Sequence, residues 1–160
     1  MIVLVMGVSG AGKTTIGTLL AEQLNWIFAD ADSYHSPENV KKMAAGIPLT
    51  DADRAPWLAT LRQLIESWIS NGENAVLACS ALREAYRRQL HVSADVKLVY
   101  LHGELSLIHE RMLHRTGHYM DPKLLESQFE TLEEPTDAIV VDVAATPADI
   151  VRQIRSSLAI

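Results

Sequence analysis

The sequence predicts an α/β domain built on a mostly parallel sheet, and three observations carry that prediction. Short apolar runs of about five residues alternate with longer segments of helical period, the pattern of strands joined by crossover helices. A glycine-rich stretch, Gly7-Val-Ser-Gly-Ala-Gly-Lys-Thr14, lies between the first apolar run and the first helical segment. The chain has 160 residues, enough for one complete hydrophobic core, so residues 1–160 are expected to form a single domain.

The elements follow in order. Residues 2–6, Ile-Val-Leu-Val-Met, read as the first strand, and Ile16, Leu19, Leu20 and Leu24 fall at helical spacing after the glycine loop. A second strand is expected at 26–29. Ser36-Pro37 opens a helix that ends near Gly46, since proline suits the first helical turn and glycine the exit. Trp57, Leu58, Leu61, Leu64, Ile65, Trp68 and Ile69 form a strong apolar stripe that stops before Gly72; such a stripe is read as core rather than as ligand contact. Strands are expected at 75–79, 97–101 and 139–143. Residues 105–115 and 122–133 read as helices, with a break at Gly117-His118-Tyr119. Thr146-Pro147 opens the last helix, whose Ile150, Val151, Ile154 and Leu158 face inward.

Composition narrows the function. The chain is 48% hydrophobic and 21% charged, as globular proteins are. A formal net charge of −6 argues against nucleic-acid or anionic-membrane binding, because either needs a basic surface. An anionic ligand would therefore need a locally basic pocket. The single cysteine, Cys79, has no intramolecular partner and sits in an apolar run, so a reducing compartment is expected. No apolar stretch nears the roughly 20 residues that span a bilayer, and the first residues lack the pattern of a signal peptide. These features together predict a soluble cytoplasmic protein.

The glycine loop satisfies G-x-x-x-x-G-K-[ST] and stands where that motif functions, between a strand and a helix. Glycines let the backbone of Gly7, Val8, Ser9, Gly10, Ala11 and Gly12 turn its N–H groups inward, and the helix start at Lys13, Thr14 and Thr15 adds unsatisfied amides and the positive end of its dipole. Lys13 reaches the β- and γ-phosphates of a nucleotide and Thr14 ligates Mg²⁺. The chain has no Asp-x-x-Gly and no Asn/Thr-Lys-x-Asp, which favours ATP over GTP. Ser9 is read as a spacer rather than a nucleophile.

Four constellations bear on the acceptor of the phosphate. Asp30 and Asp32 end the second strand, on the side of a parallel sheet where ligands bind, and period two points both the same way. One carboxylate can orient a hydroxyl and take its proton; another can support a metal. Asp51 or Asp53 is expected as the N-cap of the next helix, and Arg54 suits bidentate capture of a carboxylate or phosphate, although a surface role fits its spacing as well. After the third strand comes Cys79-Ser80 and a basic cluster of Arg83, Arg87 and Arg88, of which some can be simply solvated. Arg111 and Arg115 lie four apart on one helix face, placed either to reach over a nucleotide or as an exposed amphipathic pair. His109, His114 and His118 lack the spacing of a helical two-histidine zinc site.

Taken together, the glycine loop, Asp-Ala-Asp-x-Tyr-His at 30–35, Lys-Met-Ala-Ala-Gly-Ile-Pro-Leu-Thr-Asp-Ala-Asp-Arg at 42–54, Cys-Ser-Ala-Leu-Arg-x-x-Tyr-Arg from 79, Gly-His-Tyr-Met at 117–120 and Ser-Gln-Phe-Glu-Thr-Leu-Glu at 127–133 resemble the successive blocks of the gluconate kinase family. The resemblance runs from residue 7 to about 135. It implies an α/β, P-loop, nucleoside-monophosphate-kinase-like three-layer fold with a five-stranded parallel sheet and a lid segment, roughly 111–121. It also implies a Mg²⁺-dependent enzyme, similar to shikimate kinases and often dimeric, that moves the ATP γ-phosphoryl group to the 6-hydroxyl of D-gluconate. On the matching positions, Lys13 and Thr14 would serve phosphate and Mg²⁺, Asp32 the sugar hydroxyl, and Asp30 the metal. His35, Arg54, Ser80, Arg83, His118 and Gln128 would face the sugar acid, with Arg111 and Arg115 as lid arginines.

Two departures stand out. Only Thr136-Asp137-Ala138 separates Glu134-Pro135 from the last strand, where relatives carry a longer loop, and Arg83 stands where they commonly have lysine. The alternatives are a kinase for shikimate or another small hydroxy acid and, from a different class, a non-catalytic ATP-binding switch.

Overall fold

The computed structural model describes residues 1–114 and 124–160. Five strands, β1 (Ile2–Met6), β2 (Ile27–Asp30), β3 (Ala75–Ala78), β4 (Val96–His102) and β5 (Ile139–Asp142), form one sheet in the order β2-β3-β1-β4-β5. Every pairing is parallel; Val3 stands opposite Val76 on one side and Lys97 on the other. The helices are α1 (Lys13–Leu24), α2 (Pro37–Ala44), α3 (Asp51–Ser70), α4 (Glu84–Leu90), α5 (Leu105–Leu113), α6 (Leu124–Thr131) and α7 (Pro147–Leu158).

β1 is the central strand and all five of its residues are buried, as expected of a parallel strand covered on both faces. Its alternation divides the core. Val3 and Val5 join Ile16 and Leu20 of α1, Ile108 and Met112 of α5, and Ile150 and Ile154 of α7. Ile2, Leu4 and Met6 point the other way, into Trp57, Leu61, Ile65 and Trp68 of α3 and Tyr86 and Leu90 of α4. The result is three layers, helices on a sheet on helices. A smaller apolar cluster of Met43, Leu49 and Leu124 joins α2, the loop after it and α6, beyond the carboxyl ends of the strands. Among the described residues, no helix is long and apolar enough to cross a membrane.

All five expected strands are present, with ends that differ by one residue or so. The largest difference concerns α3, which begins at Asp51, six residues before the apolar stripe, and contains Pro56. Neither Asp51 nor Asp53 is its N-cap. Thr50 is: its side chain accepts from the Asp53 amide at 3.1 Å, and Asp53 answers by accepting from the Thr50 amide at 3.0 Å, a reciprocal capping box. Two short elements had no sequence expectation, the 3₁₀ turn Ala31–Tyr34 and α4, whose seven residues are too few and too polar to show a period. The expected break at 117–119 lies outside the described residues.

Candidate active site

The site is built where β1, β2 and β3 end. Gly10 and Gly12 have φ of +82° and +98°, which a side chain would strain, and a Cβ on Gly10 would stand 2.5 Å from Met112 Cγ. The loop is thus wound tightly and backed by α5. Lys13 Nζ folds back to donate to the Val8 carbonyl at 3.0 Å, and Ser9 N–H donates to Gln128 Oε1 at 2.6 Å, tying the loop to α6. Ser9 Oγ is buried and has no hydrogen-bond partner among the described residues. A buried hydroxyl with no partner among the described residues can hydrogen-bond a ligand that enters the loop.

Asp30 and Asp32 do come together, but not by strand alternation. β2 stops at Asp30, and Asp32 lies in the 3₁₀ turn that follows, its amide donating to Asp30 Oδ1 at 3.0 Å. The other oxygen of Asp30 accepts from Thr14 Oγ1 at 2.7 Å. One carboxylate therefore braces the turn and meets the hydroxyl at the start of α1, while Asp32 lines the cleft with Lys13 and Thr14.

The opposite wall comes from α2 and α3. His35 stacks on Trp57, ring centroids 4.2 Å apart and 14° from coplanar, and Trp57 is fixed by donating its indole N–H to the Ala31 carbonyl at 2.7 Å. Burial, aided by the charge of Arg54, pushes the His35 pKa down to about 4, so the imidazole is neutral near pH 7. Arg54 lines the cleft, donates to Tyr86 Oη at 3.2 Å and lies 5.6 Å from the centre of that ring. Tyr86 donates in turn to Asp51, which holds the Asp51 carboxyl below its ordinary range; Arg83 and Arg54 add to the effect. Arg54 is thus a guanidinium aimed by a phenol rather than a free surface arginine.

Of the expected site residues, Ser9, Gly10, Gly12, Lys13, Thr14, Asp32, His35, Arg54, Ser80 and Gln128 line one cleft. Four arginines stand elsewhere. Arg83 is exposed at the start of α4, where its charge acts on Asp51. Arg87 is buried and donates to the Ala81 and Leu82 carbonyls, and Arg88 pairs with Glu84 at 3.0 Å, so the expected basic cluster is dispersed into structural work. Arg111 donates to the Val143 carbonyl at 2.8 Å, one residue past β5. Arg115 and His118 lie outside the described residues. Cys79, fully buried with a pKa pushed up to about 12, has no use as a nucleophile.

Sequence reasoning missed Asn39, a buried polar residue bonded to both His35 and α3, and it placed Trp57 wholly in the core, whereas one face of its ring carries His35. Tyr86 stood in a quoted block without an assigned part. A tyrosine three residues after an arginine had no local signal to separate it from the helix core.

Arg54, Asp32 and a phosphate-binding loop in one cleft can hold an anionic acceptor, orient its hydroxyl and present it to a polyphosphate. No group of three or more His, Cys, Asp or Glu side chains among the described residues could hold a metal unaided. The Thr14–Asp30 pair instead suits Mg²⁺, which takes few protein oxygens and keeps phosphate oxygens and water around it.

Comparison with known proteins gives the family. Residues 9–159 match the family model described as shikimate kinase. The chain is 42% identical to a probable gluconokinase of Xenopus tropicalis, across 99% of this chain and 93% of that one, and 49% identical to the gluconokinase of Gluconobacter oxydans, across 83% and 75%. The crystal structure of a gluconokinase from Sinorhizobium meliloti superposes with a TM-score of 0.86 at 46% identity, covering 98% of this chain and 90% of that one. A shikimate kinase of Aquifex aeolicus, at 20% identity and a TM-score of 0.65, shares the fold.

Proposed function

This chain belongs to the gluconokinases within the shikimate kinase family, and we propose from that premise that it transfers the γ-phosphoryl group of ATP to the 6-hydroxyl of D-gluconate. The products are ADP and 6-phospho-D-gluconate. The observation that carries the reading is the shared cleft, which Lys13 and other residues of the loop line together with Asp32, His35 and Arg54.

Each residue contributes a separable part. Loop amides, Ser9 Oγ and the Lys13 ammonium bind the phosphates and neutralise charge that spreads over the transferring oxygens. Asp32 accepts a hydrogen bond from the 6-hydroxyl, orients it toward the γ-phosphorus and takes its proton as the new O–P bond forms. Arg54 pairs with the acceptor carboxylate, which fixes which end of the sugar acid lies deep in the cleft. Gln128 links α6 to the loop through Ser9 and lines the cleft. Thr14, with Asp30 behind it, would hold Mg²⁺, which would supply positive charge to offset that of the phosphates. Arg111 joins the phosphate end only by leaving or sharing the Val143 carbonyl, and Arg115 and His118 are proposed to work with it from the segment at 111–121.

The test is a panel assay with Mg-ATP and D-gluconate, its epimers, shikimate and no acceptor. Gluconate should give the highest kcat/KM. Faster turnover with shikimate would move the enzyme to that substrate, and ATP consumption indifferent to every acid would favour a nucleotide switch.

A further inference from the structure

Asn39 solves a problem that the cleft poses for His35. Stacking on Trp57 fixes the plane of the imidazole but not its state: a ring turned over in the same plane, or protonated on the other nitrogen, would stack as well. Asn39 removes that freedom. Asn39 is 5% exposed, and Nδ2 lies 2.9 Å from the Asp53 carbonyl oxygen and 3.3 Å from His35 Nδ1. A carbonyl only accepts, so the NH₂ end of the amide must face Asp53. The second hydrogen of that same NH₂ group points to His35, whose Nδ1 must then be the acceptor. An imidazole that accepts at Nδ1 carries its proton at Nε2, on the edge turned away from Asn39.

We propose that Asn39 is a positioning residue that locks His35 as the neutral Nε2–H tautomer, so that the ring meets an oxygen of the polyhydroxy-acid acceptor as a hydrogen-bond donor. This deepens the sugar-acid reading and rests on it. The surroundings agree from each side. Arg54 of α3 lines the same cleft and disfavours a second positive charge, and burial pushes His35 down to about 4. The Lys42 and Asp53 side chains pair with each other at 3.0 Å, and Asp53 also accepts from the Thr50 amide, so this carboxylate is engaged by donors other than His35. Ser36 accepts the Asn39 amide at 3.1 Å, which fixes where the side chain leaves α2. A neutral donor beside a cation suits an acceptor rich in lone pairs and selects for oxygen over an amine.

The experiment is long-range ¹H–¹⁵N NMR on the full-length protein labelled at its six histidines, with the His35 resonances assigned by loss in His35→Gln. At pH 7.5 the wild type should show His35 protonated at Nε2 alone. Asn39→Ala should mix the two tautomers and raise the KM for gluconate about tenfold, with kcat within about threefold, the loss expected of one neutral hydrogen bond. Asn39→Asp, which offers an acceptor where Asn39 offers a donor, should move the proton to Nδ1. A wild-type His35 that is Nδ1–H or imidazolium overturns the lock without any variant having to fold. So does an Asn39→Ala spectrum unchanged from wild type. The tautomer readout needs no acceptor, so failure of the lock is distinguished from failure of the gluconate reading, which would show as absent turnover in the wild type.

Discussion

Arg54 and His35 are the residues whose chemistry depends most on what surrounds them. The Tyr86 phenol aims Arg54, so replacing Arg54 with Leu removes a placed charge rather than a loose one; the acceptor should bind about 2–5 kcal/mol more weakly, read as KM for gluconate, while KM for ATP holds. An unchanged gluconate KM would return Arg54 to the surface. His35 makes a prediction about pH. Its pKa falls from 6.5 in the unfolded chain to about 4 in the fold, so the unfolded state binds the extra proton first, and the stability tied to neutral His35 is full above pH 6.5 and lost as pH falls toward 4. Urea midpoints of wild type and His35→Gln should converge over that window and run parallel above it. Asp51 and Asp53, held low by Tyr86 and by Thr50 with Lys42, lose their contribution only below about pH 4, where their unfolded carboxyls protonate. That separates the two effects.

At the scale of the element, the start of α3 sets the geometry of the acceptor wall. Its capping box, the Lys42–Asp53 pair and the Asn39 bond to the Asp53 carbonyl all converge on one turn, which carries Arg54. Thr50→Ala should therefore cost about 1 kcal/mol of stability and should also raise the KM for gluconate, because the helix start that presents Arg54 frays. Circular-dichroism melting with steady-state kinetics checks both; a stability loss with an unchanged KM would make the cap purely structural. On the other side, Gly10→Ala meets both a left-handed φ and Met112 Cγ at 2.5 Å, so it should weaken nucleotide binding at least tenfold in calorimetry. Nucleotide affinity equal to wild type would show the loop more yielding than its packing against α5 implies. The elements were legible in the sequence to different depths for physical reasons. The phosphate loop is contiguous, and its glycines state their own purpose. α3 was readable from Trp57 onward because its stripe is apolar, but its first turn is Asp-Ala-Asp-Arg, visible only through Thr50 and Asp53 acting as a pair. Asn39 gave no sign, since a buried asparagine looks like a surface one until its partners from another helix are known.

The whole molecule works by bringing the ends of β1, β2 and β3 to one place and facing them with α2, α3 and α6. Sequence reasoning reached the sheet and the glycine loop after its central strand, because each depends on local runs of residues. It could not separate Arg54, which turns into the cleft, from Arg83, Arg87 and Arg88, which do not, because the difference lies in tertiary partners such as Tyr86 and the Ala81 and Leu82 carbonyls. On the proposed reading Asp32 works at the acceptor hydroxyl, in the cleft that the phosphate loop also lines. Rapid-quench single turnover with saturating ATP and gluconate, comparing wild type with Asp32→Asn, addresses that directly. The transfer step should slow by about 10²–10⁴-fold, the range of general-base catalysis, with ATP affinity within about threefold of wild type. Transfer at the wild-type rate would contradict the assignment of Asp32 to the acceptor hydroxyl.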